Sequence, residues 1–300
     1  MMHKSVLLQE VITGLDIKLD DVFFDGTVNG GGHSKAVAEL LGAKGVIIGT
    51  DLDGDALAKA GERLKEATAK IILKQASFRD LDAVLAEIKV TAVDKMLLDL
   101  GLSSNQFEAS GRGFSFQKDE PLLMTFKNHP GPSDLSAFKI VNTWEEGNIA
   151  QIIESYGEER FAKRIARAIT LERRKRPIKT TMDLVAVIKR AIPKKGLYGR
   201  LNPATKTFQA LRIAVNDEIG ALKEGLQKGF ECLNVGGRMA VISFHSLEDR
   251  IVKNYWKKLA AENRGRILTK KPVMASPEEI LENPRSRSAK LRIIEKTVCE

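Results

Sequence analysis

The stretch "DGTVNGGGHS", from Asp25 to Ser34, sets four glycines and an acid between an apolar run and a helical stretch. Glycine tolerates left-handed and crowded backbone but weakens regular structure, so such a cluster at a strand-to-helix junction points to a ligand close to the main chain. Three loop chemistries compete. A phosphate loop of the G-x-x-x-x-G-K-[ST] kind fails: counted from Gly26, Gly31 is the second glycine, but Gly32 and His33 stand where Lys and Ser/Thr belong. A dinucleotide fingerprint fails too, because no choice among Gly26, Gly30, Gly31 and Gly32 gives G-x-G-x-x-G. The third ligand, S-adenosylmethionine, has no pyrophosphate. It needs main-chain contact for its methionine part, an acid for the ribose hydroxyls, and mixed contacts around adenine. Asp51 lies about 20 residues beyond the glycines, the usual distance of a ribose-binding acid. The plainer alternatives are a tight turn for the loop and a helix cap for any single strand-terminal Asp.

Asp25, Asp51 and Asp99 each end an apolar run, and Phe78 follows another. Strand ends on one edge of a doubly wound sheet face one crevice, so these four are expected to line one pocket. His245 in "SFHSLED" faces the same edge, either toward a substrate or as the cap of the helix after it. The four histidines, His3, His33, His129 and His245, lack ligand spacing, and no metal is expected. Two cysteines, Cys232 and Cys299, offer neither a disulfide framework nor a CxxC metal site. A reducing cytoplasm is the expected location. No apolar stretch is long enough to span a bilayer, and no membrane association is expected.

These residues need elements to hold them. Apolar runs at 21–25, 45–51, 70–75 and 93–101 alternate with helical spacing at 34–42, 55–67 and 81–89. Repeated strand–helix alternation predicts a parallel sheet covered on both faces. From about 104 to 200 the pattern holds no convincing strand: loops are followed by helical stretches at 136–144, 145–157, 159–175 and 181–193. A long helix (204–230), a strand (237–244), a helix from Ser246 and a last strand (287–298), antiparallel at the sheet edge, close the chain. The expected organisation is a core of 1–103 and 201–300 interrupted by a helical substrate-recognition domain, 104–200. The chain has 300 residues, 43% hydrophobic and 29% charged, with a net charge of +9. Those figures suit a soluble protein with a polyanionic partner. Arg160, Lys163, Arg164 and Arg167 lie at helical spacing, with Arg173, Arg174, Lys175 and Arg176 beyond them; Arg285 and Arg287 add a smaller basic group. A basic helical face is ordinarily a solvated surface; the net charge favours phosphate contact here.

"DGTVNGGGHS", "LLDLGLSS", "RGFSF", "YGEERFAKRIARAI", "NPATKTFQALRIAVNDE", "GGRMAVISFHSLEDRIVK" and "NPRSRSAKLR" follow one another along nearly the whole chain. In this order they resemble the ribosomal RNA small subunit methyltransferase H family, also called MraW. The resemblance implies an α/β class I S-adenosylmethionine-dependent methyltransferase, with a Rossmann-like doubly wound sheet and an inserted helical domain. It implies methylation of N4 of a 16S rRNA cytidine in the decoding centre near the P site, with the small ribosomal subunit as partner. Position by position it assigns Gly31, Gly32, His33, Asp51, Phe78, Asp99 and Gln106 to the cofactor. Asp99 and His245 are the candidates for catalytic contact, with no general base named. The RNA contacts expected are Arg160, Lys163, Arg164, Arg167, Arg285 and Arg287. Departures occur at Asn105, where the family commonly has proline, and at Gly54, in "DGDAL" where it has "DPDAL"-like text. In "EPLLMTFK" (120–127), Leu123, Thr125 and Lys127 replace an acid, an arginine and an acid. The rival readings are a methyltransferase-fold RNA-binding protein with weak or no activity, and an amino-methyltransferase acting on another nucleic acid.

Overall fold

The computed structural model describes residues 4–101, 110–128, 130–193 and 202–297. The chain divides into two compact units, Met1–Gly101 with Ile219–Glu300, and Leu102–Glu218.

In the first unit, helix α1 (Leu8–Leu15) precedes a seven-stranded sheet. Its strands are β1 (Val22–Asp25), β2 (Val46–Asp51), β3 (Lys70–Gln75), β4 (Val93–Asp99), β5 (Leu233–Ser243), β6 (Gly265–Ile267) and β7 (Lys290–Lys296). Their order is β3-β2-β1-β4-β5-β7-β6. The first five strands are mutually parallel and β7 runs antiparallel to both β5 and β6. The crossovers are α2 (Gly32–Ala38), α3 (Gly54–Leu64) and α4 (Leu81–Glu87). The α/β doubly wound class expected from the alternation is therefore present. The last strand is antiparallel as expected but does not form the edge: β6 pairs outside it.

Strand side chains alternate between faces, and the two cores show it directly. Phe24, Ile48, Met96, Leu98, Met239 and Val241 pack on one face, with α4, α10 (Glu218–Glu231) and α11 (Ser246–Ala261). Their sequence neighbours Phe23, Ile47, Leu97, Ala240 and Ile242 pack on the other, with Val11 and Leu15 of α1 and Val37 of α2. Buried on both sides, these strands read as continuous apolar runs.

The second unit contains α5 (Ala137–Thr143), α6 (Glu146–Gly157), α7 (Ala162–Arg173), α8 (Thr181–Ala191) and α9 (Thr205–Asn216) around one apolar core. Among its described residues there is no strand, only the single bridge Pro121–Thr180. The 204–230 stretch, expected as one helix, is two. Asp217 adopts φ 46° and ends α9, and Arg212 grips Glu218 across the break with bonds of 2.8 and 2.9 Å. The compact division thus falls at 218/219, and α9 goes with the insertion rather than with the core at 201–300.

Candidate functional site

The glycine loop is a turn that closes on its own unit. Gly26 donates to Leu97 O, Val28 to Thr50 O, and Gly31 to Val28 O, at 2.8–3.0 Å. Gly26 has no room for a side chain: a Cβ would lie 2.4 Å from Leu98 and 2.8 Å from Phe78. Gly31 is left-handed (φ 73°) where the turn enters α2, a conformation that favours glycine. Open space surrounds the Cβ position of Gly30, so chain packing does not call for a glycine there. Gly32 lies against the hydroxyl of Ser5.

Three carboxyls stand at the ends of adjacent strands. Asp25 is buried, its Oδ2 accepting from Ser34 Oγ at 2.6 Å and its Oδ1 from Thr27 N at 3.2 Å. Burial pushes it up to about 6, against the opposing pull of those two bonds. Asp51 takes the Asn29 N–H on Oδ2 and the Asp53 N–H on Oδ1, both at 2.9 Å, so it orders the loop. Burial pushes it up to about 6 as well. Asp99 stands well above the ordinary carboxylate range, because it is buried and because the Asp25 and Glu248 carboxylates oppose its charge. Its Oδ1 is enclosed and, among the described residues, has no hydrogen-bond partner, and Oδ2 lies 3.7 Å from His33 Nδ1. Among the described residues no lysine or arginine pairs with any of the three.

This donor set suits a cationic ligand with a diol. Carboxylate oxygens accept from hydroxyls, and buried acids without a cation favour one when it arrives. The buried Oδ1 of Asp99 lacks a donor, a deficit that costs about 1–3 kcal/mol until one is supplied. The contacts tie Gly31 to Val28, Asp51 to Asn29 and Asp53, and His33 to Asp99, while Gly32 packs against Ser5. Phe78 sits in a 3-10 turn (Phe78–Asp80), with its ring where a Cβ on Gly225 of α10 would lie, 2.5 Å away. Its ring is thus engaged with the core while its Cβ backs Gly26. Gln106 lies outside the described residues, as do Asn105, His3, His129 and Cys299.

His245 is the N-cap of α11. Its Nδ1 accepts from Glu248 N at 3.3 Å, and Glu248 Oε2 accepts from the N–H groups of Phe244 and His245. The cap, the blander of the two expected roles, is the one its contacts show. Three contacts were not legible in the sequence. The His33 ring bonds Val6 O at 2.9 Å, Thr27 Oγ1 accepts from Asp99 N at 2.7 Å, and Glu248 adds its charge to Asp99. None leaves a local pattern, since partners are 27 to 149 residues apart.

The sign of Asp25's displacement gives a test. Its folded value of about 6 exceeds the unfolded value of about 3.9. The native state therefore holds the proton more tightly, and Asp25's contribution to stability is lost as pH rises from about 4 through 6, by up to roughly 3 kcal/mol. Asn cannot ionise. Relative to the parent, the melting temperature of Asp25→Asn is expected to rise by about 5 °C between pH 5 and pH 8. A pH-independent difference in thermal melts would contradict the buried-charge account.

In the second unit, α7 buries Ala162, Ile165, Ala166, Ile169 and Thr170. That i, i+3, i+4 pattern leaves Arg160, Lys163, Arg164 and Arg167 exposed, and among the described residues none forms an ion pair. Arg160 lies over the Phe161 ring at 4.6 Å. Two of the other basic group are engaged: Arg173 donates to Val141 O, and Arg176 pairs with Glu172 and Asp183. The first turn of α7 contains no acid. Cations there oppose the helix dipole, each at about 0.3–1 kcal/mol, so stability alone does not select them. Arg285 and Arg287 lie in a 3-10 turn (Pro284–Ser288) of the first unit, Arg287 exposed. Among the described residues no cluster of three or more His, Cys, Asp or Glu is arranged to hold a metal ion, and no helix is long and apolar enough to cross a membrane.

The sequence model of the MraW methylase family matches residues 1–297. The chain is 44% identical over 309 residues to ribosomal RNA small subunit methyltransferase H of Clostridioides difficile, covering 98% of each chain. It is 46% identical to the protein of that name from Geotalea daltonii, again covering 98% of each. The same identity holds over 310 residues with the Heliobacterium modesticaldum protein, at the same coverage.

Proposed function

The chain belongs to the MraW methylase family, and from that membership we propose that it methylates N4 of a cytidine in 16S rRNA, near the P site of the small ribosomal subunit. Its strand order, with β7 reversed between β5 and β6, is that of class I S-adenosylmethionine-dependent methyltransferases, and S-adenosylmethionine is its methyl donor. The observation that carries the reading is the row of three carboxyls at the ends of β1, β2 and β4, Asp25 buried and Asp51 and Asp99 largely enclosed, each raised by desolvation and, among the described residues, none paired with a lysine or arginine. When bound, the cofactor supplies an electrophilic methyl group on a sulfonium. The chain's own residues bind and align. Asp51 offers its carboxylate to the ribose hydroxyls, the Gly31–His33 backbone approaches the methionine part, and Asp99 offers an acceptor at the reacting end. The N4 lone pair is delocalised into the cytosine ring. Alignment, worth up to about 7–11 kcal/mol in favourable cases, is therefore the main device expected.

Substrate recognition falls, on this reading, to the inserted helical unit and its α7 cations, with Arg287 and its neighbours as a second basic contact. Gln106 is kept as a proposed cofactor contact from the resemblance. The reading places the protein in the cytoplasm, with its ribosomal substrate.

The departure at 123–127 does not remove the local supports. Arg112 Nη1 donates to Phe126 O, Asn216 donates to Met124 O and accepts from Phe126 N, and Phe126 stacks on Phe114 at 5.9 Å. Thr125 is buried and accepts from Lys127 N, and Lys127 Nζ meets Asp134 at 2.6 Å. Purified protein with unmodified 30S subunits and labelled cofactor is expected to place label on N4 of one 16S cytidine, located by mass mapping. The combined variant Leu123→Asp, Thr125→Arg and Lys127→Asp is expected to change that rate by less than about threefold if it folds, since no aligning contact is altered. Cofactor binding with no label in 16S rRNA would leave only an RNA-binding protein. Rescue by the combined variant would then place the defect in this segment.

A further inference from the structure

Three hydrogen bonds seat residues 4–7 across the start of α2. Asn283 Nδ2 donates to Lys4 O at 3.1 Å, and Glu279 Oε1 accepts from Leu7 N at 2.8 Å. The His33 ring donates Nε2–H to Val6 O at 2.9 Å, since a carbonyl can only accept. Lys4 Nζ adds an ion pair with Glu282. Glu279 and Glu282 belong to a short helix, α12 (Pro277–Glu282), which Asn283 follows.

Ser5 stands inside this bracket with 8% of its surface exposed. A buried hydroxyl ordinarily has a partner, yet among the described residues Ser5 Oγ has none. It lies so close to the main chain of Gly32 that a Cβ on that glycine would collide with it. Arg63, in the last turn of α3, reaches the same point: its Nη1 is 3.4 Å from the Cβ position of Gly32. Arg63 is half-buried, and among the described residues it makes neither an ion pair nor a hydrogen bond. Two donors, one of them a permanent cation, thus converge on one glycine with nothing to bind. A cation in the last turn of a helix suits the dipole, which accounts for the charge of Arg63 but not for the idle hydroxyl beside it.

The chemistry here complements that of the strand ends. Asp25, Asp51 and Asp99 suit hydroxyls and cations and oppose an anion. S-adenosylmethionine carries both signs: a sulfonium and an ammonium, and a carboxylate at the end of its methionine part. A carboxylate only accepts, so its place needs donors, and a guanidinium fork matches it best.

We propose that Ser5 and Arg63 form the carboxylate subsite for the cofactor: the hydroxyl and the guanidinium donate to the α-carboxylate of S-adenosylmethionine beside Gly32. Glu279 is the positioning residue, holding the Leu7 N–H and through it the turn that presents Ser5. The inference rests on the cofactor reading above, which brings the methionine part to Gly31–His33.

Calorimetry with S-adenosylmethionine and with its decarboxylated form isolates the one group in which the two ligands differ. The parent protein is expected to prefer the intact cofactor by about 10- to 100-fold. Arg63→Gln is expected to weaken binding of the intact cofactor by about 10- to 30-fold, and Ser5→Ala by about 3- to 10-fold. Neither should change affinity for the decarboxylated form by more than about twofold. Glu279→Ala should lose part of the same preference, and Glu279→Gln, which still accepts from Leu7 N, should restore it. If Ser5→Ala does not fold, the half-exposed Arg63→Gln decides alone. Parental preference in Arg63→Gln, or equal losses for the two ligands, would overturn the subsite. So would equal affinity of the parent for both, which would leave the cofactor reading intact. Failure of the parent to bind either ligand would overturn the cofactor reading itself.

Discussion

Asp51→Ala is expected to weaken S-adenosylmethionine binding by about 10- to 100-fold, the worth of a hydrogen bond to a charged acceptor that nothing replaces. The carboxylate does two things at once. Its oxygens hold the N–H groups of Asn29 and Asp53 at 2.9 Å, which fixes the turn before Gly31 and the entry to α3. On the proposed reading, each oxygen has a lone pair left to accept from the ribose diol. Asp51→Asn is not expected to rescue binding, because its amide nitrogen must meet one of those two backbone donors. Calorimetry with cofactor and with product should show the same loss, since both share the ribose. A melting temperature within a few degrees of the parent would show that the loss is local. Parental affinity in the alanine variant would end the ribose assignment.

How much of this was legible beforehand depended on how far each signal reaches along the chain. Strands β1, β2 and β4 announce themselves because both faces are buried, so Phe23 and Phe24, or Ile47 and Ile48, are all apolar. β6 is three residues long and carries no pattern, so the sequence makes β7 look like the edge strand. The break at Asp217 is hidden because the apolar spacing continues from Phe208 and Leu211 to Leu222 and Leu226, although these residues serve two different cores. α1, in "LLQEVITGL", carries no start signal, being a short helix entered through a left-handed Leu7 rather than a recognisable cap. At the site, the residue types and the strand ends were readable; the partners were not. Nothing near His33 in sequence reveals Val6 as the group that fixes its tautomer, and nothing near His245 distinguishes a cap from a substrate contact.

Replacing Arg160, Arg164 and Arg167 together by glutamine is expected to lower affinity for small-subunit rRNA by about 100-fold at low salt, and to reduce the magnitude of the salt slope by about 2–3. Among the described residues these cations have no carboxylate partners, whereas Arg173 and Arg176 on the same stretch are engaged by Val141, Glu172 and Asp183. They also crowd the start of α7, where the dipole favours acids and where an arriving phosphate meets both side-chain charge and helix N–H groups. A solvated surface chosen for stability would carry the opposite sign there. The triple variant should therefore melt at or slightly above the parental temperature while binding RNA less well, and cofactor affinity should not change. Arg176→Gln makes the contrast: it breaks ion pairs within the protein and should leave the salt slope as it was. If both variants give the parental slope, α7 is a solvated face and the RNA must be held elsewhere. If the triple variant loses stability as well as RNA, the cations serve the fold, and the dipole argument that singles them out is wrong.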